Sequence, residues 1–562
     1  MASEEPAIAN RPRRLPWAAG LGAAAVLLFW CYLLESRTTS VNADSAGQVL
    51  QGWDMLHGNP LLRGWFLGDV SFYTFEIPVD GLVATVSGLQ ADVVHVTGAL
   101  FYTLLVLTAA LLARGRARGP AGVVRALLAA GVLLVPSLYP GAHVLLLSAD
   151  HTGVGVPVML TLLFVDRARE RWYLPAVACL LLTWAQLDDP VATYTCAAPL
   201  AIVCAIRAAA ASLTWLGSRR SARAAALPWS DAVLAVAAAF SYELTQVVQS
   251  AISDAGGFYQ YPVATGLAAW AAIPRQLQWT WQNVLYLFGA NYFKRPTALQ
   301  AAIGDLHLAG LAVALCGLVI GLWGLFFRLG PAFGPGPSGR ADRVTQALTV
   351  GTVAMLAAGA FGTHMAPVAG AHEIAIALPL GAVLGGRLVG PWLTARRGAA
   401  HGRLRAGTIT RLAVASALTV AGAGYVSALG YSAAQPGTQA TTQDLADWLV
   451  SHQLTAGIAG YWEANVTTLA SHGTVRLAPL NRGGRYAYPW ESKASWYDPA
   501  VSQANFVVTV SGPPVDDVYA QPAVILARYG APASTYLFGR YTVMVYDYNL
   551  LSRVRPPVAG RR

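Results

Sequence analysis

Residues 36–94 read SRTTSVNADSAGQVLQGWDMLHGNPLLRGWFLGDVSFYTFEIPVDGLVATVSGLQADVV. An apolar run from Trp17 to Leu34, long enough to span a bilayer, precedes them. The segment is far longer than a hairpin between two membrane helices needs. It carries Asp44, Asp54, Asp69, Glu76, Asp80 and Asp92 against only Arg37 and Arg63. Its aromatic residues, Trp53, Trp65, Phe66, Phe72, Tyr73 and Phe75, suit a segment lying at a membrane interface. These features describe an external loop that presents carboxylates at the lipid surface.

Composition sets the class. Of 562 residues, 55% are hydrophobic and 12% charged, with a mean hydropathy of +0.47. Soluble domains carry about 25% charged residues, so this is a polytopic membrane protein. The net charge of +10 comes from basic residues scattered between apolar spans, which argues against a nucleic-acid partner. The five cysteines, Cys31, Cys179, Cys196, Cys204 and Cys316, all fall in apolar runs and suggest neither disulfides nor a zinc site. RPRR before Trp17 lacks a convincing cleavage site after it, so the first span reads as a retained anchor.

Along the chain, apolar segments cover His95–Ala113, Gly122–Leu138, Thr152–Val165, Trp172–Ala185, Val191–Ile206, Asp231–Gln249, Leu306–Phe327, Val344–Phe361, Ile374–Leu393 and Leu412–Leu429. With the first, that is about eleven helices. Basic residues gather at every second junction, as in RGRARG after Ala113, DRARER after Val165 and RRGAAHGRLR after Ala395. The opposite junctions hold only Arg37, Arg63, Arg275, Lys294 and Arg295. The positive-inside rule then puts the N-terminus in the cytoplasm and the residues after the last span outside.

The predicted organisation is a cytoplasmic tail at 1–16, a membrane domain at 17–431 with external loops at 36–94 and 250–305, an external α/β domain at 432–555 and a disordered tail at 556–562. In the α/β part, Thr441–His452 is patterned as an amphipathic helix with Leu445, Trp448 and Leu449 on one face. GIAGYW, TVRLAPL, NFVVTVSG, AVILARYG and YTVMVYDYN read as strands, with a helix over VTTLASHG. The fold class is therefore an all-α polytopic membrane protein with a small external α/β domain.

Ionisable residues at membrane depth are functional candidates by default. Here they collect on the external side: Asp44, about ten residues after the first span, Asp150-His151 at the fourth, Asp188-Asp189 at the end of the fifth, and Glu243 in the seventh. Asp54 and Asp69 join them from the first loop. Each also has a plainer reading. Asp44 suits the N-cap of a helix over DSAGQVLQGWDML, Asp150 a cap of the fourth span and Asp188-Asp189 a cap before Pro190. His151 reads equally as a helix-end hydrogen bonder, and Glu243 as the partner of a neighbouring helix. In the second loop, YLFGANYFKRP places Lys294 and Arg295 where basic residues are otherwise avoided, a placement that suits a phosphate at the outer leaflet or lipid headgroups.

This layout resembles the GT-C polytopic glycosyltransferases, such as the protein mannosyltransferases and aminoarabinose transferases, which use polyprenyl-phosphate sugars. The resemblance rests on Asp44 in VNADS, Asp150 in LLLSADHTG, the loop at 250–305 and the region after Ser432. It implies Asp44 and Asp150 as catalytic residues. It also implies a long second loop that helps bind the lipid donor, and transfer to an extracytoplasmic glycan or protein with inversion. The sequence departs from the family pattern in two places. Ala43 and Ser45 flank Asp44 where relatives have an acidic pair, and Gln186-Leu187-Asp188-Asp189-Pro190 stands where relatives have a lysine. The second departure moves the phosphate contact to Lys294 and Arg295, with His151, Asp54, Asp69, Glu243, Asp188 and Asp189 as further substrate-binding candidates. No cofactor is required by these residues; Asp150 with His151 leaves a divalent metal open. A transporter or lipid flippase, and a non-catalytic assembly or sensor protein, are the competing classes. The chain shows no internal repeat of the kind transporters carry.

The topology has a direct test. Cysteines placed at Ser87, Ser253 and Ser534 are expected to react with an impermeant thiol reagent in intact cells. Labelling that requires lysis at any of the three breaks the scheme.

Overall fold

A computed structural model describes residues 14–138, 141–147, 151–168, 171–217, 229–262, 266–291, 297–328, 342–394, 404–438, 442–481, 483–510 and 521–556. The helices, in order, are α1 (Arg14–Ser36), α2 (Ala43–Leu56), α3 (Glu76–Ser87), α4 (Asp92–Arg114), α5 (Gly119–Leu133), α6 (Gly141–Leu146), α7 (Gly155–Ala168), α8 (Leu174–Asp188), α9 (Ala198–Gly217, after a π turn at Thr193–Ala197), α10 (Trp229–Asp254), α11 (Ile273–Leu287), α12 (Ala298–Arg328), α13 (Arg343–Phe361), α14 (Ala377–Thr394), α15 (Leu404–Ala433), α16 (Gln443–Ser451), α17 (Tyr461–Ala470) and α18 (Pro522–Tyr529). Every predicted span coincides with one of these helices. Among the described residues, six helices are long and apolar enough to cross a membrane, and α5 and α8 are shorter apolar helices. The chain is a multi-pass membrane protein.

Arginines knit one end of the bundle. Arg387 on α14 is buried; it donates to Asp166 Oδ1 of α7 at 3.0 Å, to Asp342 before α13 and to the Leu112 carbonyl of α4 at 2.8 Å. Asp231 on α10 accepts from Arg207 of α9 at 3.0 Å and from Arg343 of α13 at 2.8 Å. Several of the charges that indicate topology in the sequence are thus also internal ties.

The other end carries the long loops, and short strands join them. The strands are β1 (Trp65–Leu67), β2 (Tyr259–Gln260), β3 (Ala456–Gly460), β4 (Arg476–Leu480), β5 (Ser492–Lys493), β6 (Phe506–Val510), β7 (Ser534–Phe538) and β8 (Tyr541–Val545). A three-stranded sheet, β2-β1-β5, draws one strand from the first loop, one from the second and one from the C-terminal region. Phe66 pairs with Tyr259 in parallel and with Ser492 in antiparallel register. The sheet thus ties the two long loops and the C-terminal region to one another.

Those strands correct the reading of the first loop as an interfacial segment. Trp65, Phe66 and Phe72 are buried, and Trp65 and Phe72 join a core with Phe258, Trp496 and Tyr497. Trp65 meets Trp496 edge-on at 5.3 Å. The aromatic residues fill the joint between two loops and the C-terminal region, where each removes a large apolar area from water.

The C-terminal region is a five-stranded sheet, β4-β3-β6-β8-β7, with β4, β3 and β6 parallel and the rest antiparallel. α16 forms as patterned, with Leu445 and Leu449 fully buried. Three local readings change. AVILARYG is helical, as α18: Pro522 opens the helix and Ile525 and Tyr529, four apart, are its buried face. The strand in GIAGYW stops at Gly460, and Tyr461 begins α17. Ser534–Phe538, unassigned in the sequence, is an edge strand.

α2 packs across α3 at a glycine pair. A Cβ at Gly52 would fall onto the Ile77 carbonyl oxygen and within 2.5 Å of the Gly81 amide nitrogen. Both are backbone atoms and cannot swing aside. Gly52→Ala is therefore expected to destabilise the protein by about 1–3 kcal/mol, read as a lower unfolding temperature in detergent. Gly22→Ala on α1, with nothing within 4 Å of the added carbon, is the matched substitution expected to leave it unchanged.

Candidate active site

The loop side gathers two groups of ionisable residues with Asp69 between them. The first group centres on Asp44. Asn42, not Asp44, caps α2, accepting from the Ser45 amide at 2.8 Å. The half-buried Asp44 carboxylate in the first turn is thereby left for other work, and it accepts a hydrogen bond from the Tyr461 hydroxyl. Glu491 Oε2 stands 3.3 Å from the same hydroxyl. Tyr488, whose ring lies 5.2 Å from that of Tyr461, faces Asp44, Glu491 and Asp69, which add to burial in pushing its phenol up.

The second group surrounds His151, which precedes α7. Its Nδ1 lies 2.6 Å from Asp189 Oδ2, and its ring is parallel to that of His372 at 5.9 Å. His372 Nε2 is 3.3 Å from Glu373 Oε1. Burial alone would lower the His151 pKa; Asp189, with Glu373 and Asp69 behind it, outweighs burial and raises it to about 10. Burial likewise acts to raise Glu373, but His372, His151 and His364 hold it down at about 2. Asp69 follows β1, and its backbone carbonyl accepts from Gln260 Nε2 at 2.7 Å. Its carboxyl is raised, first by burial and then, against the pull of His151, by Glu373 and Asp189. A raised carboxyl beside an imidazolium suits proton transfer near neutral pH.

His151, His372 and Glu373 have ligand atoms within 4.8 Å of one another. Two imidazoles and a carboxylate match the preferences of a divalent ion such as zinc. Asp189 on Nδ1 of His151 is the kind of outer carboxylate that orients a ligating imidazole. The residues fit such an ion. His372 and Glu373 were missed in the sequence because THMAPVAGAHE reads there only as a turn between spans; the His-Glu pair was the available signal.

The remaining candidates are placed as follows. Asp188 Oδ1 accepts from the Phe75 amide at 2.8 Å and the Thr74 amide at 3.2 Å, fastening the start of α3 to the end of α8. Asp189 Oδ1 accepts from the Val191 amide at 2.8 Å while its other oxygen holds His151. Glu243 is exposed on α10, on the side opposite the buried Ser241 and Thr245, and is not brought to either group. Asp54 sits in a clamp. Its Oδ2 accepts from Asn59 at 2.6 Å and Trp65 Nε1 at 2.7 Å, and both oxygens accept from Lys493 of β5 at 2.9–3.0 Å. Asp150, Lys294 and Arg295 lie outside the described residues.

No protein-family model matches the chain, and neither does any curated relative. Solved structures do. The fold is similar to that of known membrane sugar transferases. The Archaeoglobus fulgidus oligosaccharyltransferase, in complex with zinc and sulfate, shares 14% identity at a TM-score of 0.46, over 87% of this chain and 67% of its own. ArnT from Cupriavidus metallidurans bound to undecaprenyl phosphate shares 12% at 0.49, over 95% of this chain and 98% of its own. The apo form of ArnT shares 13% at 0.46, over 97% and 99%. At these identities the likeness is one of fold.

The clamp on Asp54 predicts an acid-sensitive joint. Burial alone would raise this carboxyl, but Lys493, Asn59 and Trp65 together bring it below its ordinary value. A depressed carboxyl stabilises the fold fully above the unfolded pKa of about 3.9 and loses that contribution as pH falls through the folded value. Lys493→Met is expected to cost about 1–2 kcal/mol at neutral pH, given the partial exposure of the pair. In unfolding measured across pH, the gap between wild type and variant should close below about pH 4. A gap independent of pH contradicts this account.

Proposed function

We propose that this protein is a membrane glycosyltransferase that takes a sugar from a polyprenyl-phosphate donor and attaches it to an extracytoplasmic glycan or protein, with inversion. The observation that carries the reading is the gathering of Asp44, Asp69, Tyr488 and the His151 group on the side where a sheet joins both long loops to the C-terminal region. Carboxylates at the mouth of an apolar bundle suit a reaction between a lipid-borne donor and a water-borne acceptor. The loop side is the external face in this reading.

The chemistry follows from charge. A sugar on a phosphate leaves as an anion, so no acid is needed to protonate it if cations neutralise it. Lys294 and Arg295 of the second loop are assigned that contact, and the imidazolium of His151 is a further positive charge at the candidate site. Asp44 takes the acceptor's proton and faces the developing positive charge at the anomeric carbon. Asp69 is the second carboxylate within reach of both groups. With a divalent ion bound, His151 would instead be a neutral ligand beside His372 and Glu373, and the ion would neutralise phosphate charge in place of the imidazolium.

Glycosyl transfer from a polyprenyl-phosphate sugar by purified variants tests this. Asp44→Asn is expected to lose 10²–10⁴-fold in rate, the usual size of a general-base effect, with donor binding intact. Lys294→Ala with Arg295→Ala should instead weaken donor binding, roughly ten- to a hundred-fold for each charge-assisted contact. If Asp44→Asn turns over normally and Asp69→Asn is dead, the base is Asp69. Activity in both overturns the carboxylate mechanism.

A further inference from the structure

We infer that Tyr461 and Glu491 of the C-terminal region are positioning residues for Asp44, so that the base is assembled from two distant parts of the chain. The inference rests on the reading of Asp44 as the base and goes beyond it by giving the C-terminal region a part in the chemistry.

Backbone structure places both residues. β3 ends at Gly460, and Tyr461 is the first residue of α17, at the carboxyl end of a parallel strand. Functional side chains in α/β sheets are commonly presented at that junction. α17 packs on α2, so the Tyr461 ring is carried to the first turn of α2, where Asp44 lies. Glu491 immediately precedes β5, whose Ser492 pairs with Phe66 of the first loop. The strand ladder thus fixes where Glu491 leaves the sheet.

Glu491 is held there under constraint. Its φ of 47° is a left-handed conformation that a non-glycine residue rarely adopts. Asn465 Nδ2 of α17 donates to its carbonyl at 3.1 Å. Its carboxylate lies over Gly47 of α2, where any Cβ would strike Oε2 and the side-chain carbons of Glu491. A glycine facing a strained, buried glutamate is a costly arrangement for packing alone. It brings the Glu491 carboxyl to the hydroxyl that already serves Asp44. Strain of this kind collects where a side chain must be aimed.

The hydroxyl between the two carboxyl groups has one proton to donate. Burial, with Asp44 and Glu491 adding to it, holds the Tyr461 phenol well above its ordinary value, so the proton stays on it. The hydroxyl donates it, as a hydrogen bond, to Asp44 Oδ1. Tyr461 therefore stabilises the Asp44 carboxylate and fixes its orientation, while Glu491 opposes it as a second negative group on the same oxygen. The titratable groups facing Asp44 from the C-terminal region include Tyr461, Glu491 and Tyr488, and Tyr488 also faces Asp69.

The two influences have opposite signs, which a merely structural role would not produce. The test is carbodiimide labelling of the full-length protein in detergent, with Asp44 followed by peptide mapping across pH, since this reagent takes protonated carboxyls. Tyr461→Phe is expected to raise the Asp44 labelling midpoint by about one pH unit, and Glu491→Gln to lower it. An unmoved midpoint in Tyr461→Phe, or shifts of the same direction in both variants, overturns the inference. Should Tyr461→Phe not fold, Glu491→Gln alone decides: a lowered midpoint supports it, an unmoved or raised one overturns it. The labelling needs no sugar donor, so its failure is separable from that of the catalytic reading. Transfer retained by Asp44→Asn removes Asp44 as the base whatever the labelling shows. Transfer lost in Asp44→Asn with an unmoved midpoint in Tyr461→Phe removes only the positioning role.

Discussion

Backbone hydrogen bonds between β1 and its two neighbours join three stretches of chain that are separated by about 190 and 230 residues in sequence. Strands of two or three residues are too short to hold by themselves, since each hydrogen bond adds only about 0.5–1.5 kcal/mol net. The aromatic core beneath them supplies the rest. Trp65 packs on Trp496, Tyr73 on Phe258, and the indole of Trp490 covers Gly68. The Asp54–Lys493 clamp closes the same joint from the side. Were this sheet to open, Asp69 after β1 and Glu491 before β5 would lose their common frame, and both groups of the candidate site would come apart.

The two ends of the bundle use charge in opposite ways. At the arginine-rich end, Asp166, Asp231 and Asp342 each meet a guanidinium. At the loop end, carboxyls crowd one another: Glu491 beside Asp44 around one hydroxyl, and Asp69, Asp189 and Glu373 around His151. Burial and acidic neighbours raise the Asp69 carboxyl, while the surrounding histidines hold Glu373 down. The first pattern stabilises helix packing. In the second, His151 and the Tyr461 hydroxyl stand among the carboxyl groups.

Non-glycine residues with left-handed backbone mark the same region. Phe72, His151, Val368 and Glu491 all lie in the loops or C-terminal segment around the site. Val368 is β-branched and flanks the turn that delivers His372 and Glu373; its amide donates to Asn283 Oδ1 of α11 at 3.0 Å. His151 precedes α7 and is held by Asp189. In each case a hydrogen bond or ion pair from another element offsets the conformational cost, which ties the site to the helix ends around it.

Much of this was legible in the sequence. Apolar runs of bilayer length and alternating arginine clusters determined the helix positions, because burial in lipid admits few other patterns. The alternation of helix and strand after Ser432 indicated where the α/β region would be. Asp44 stood out by its distance from the first span. What only the tertiary structure decided is which residues meet. Tyr461 and Glu491 lie more than 400 residues from Asp44, and His372 and Glu373 more than 200 from His151. No local pattern links residues so far apart. Asp54 looked as functional as Asp69 by type and position, and only the approach of Lys493 from β5 made it a structural clamp. Local sequence encodes periodicity and hydropathy, whereas the partner of a carboxylate, and with it its proton affinity, depends on how distant segments pack.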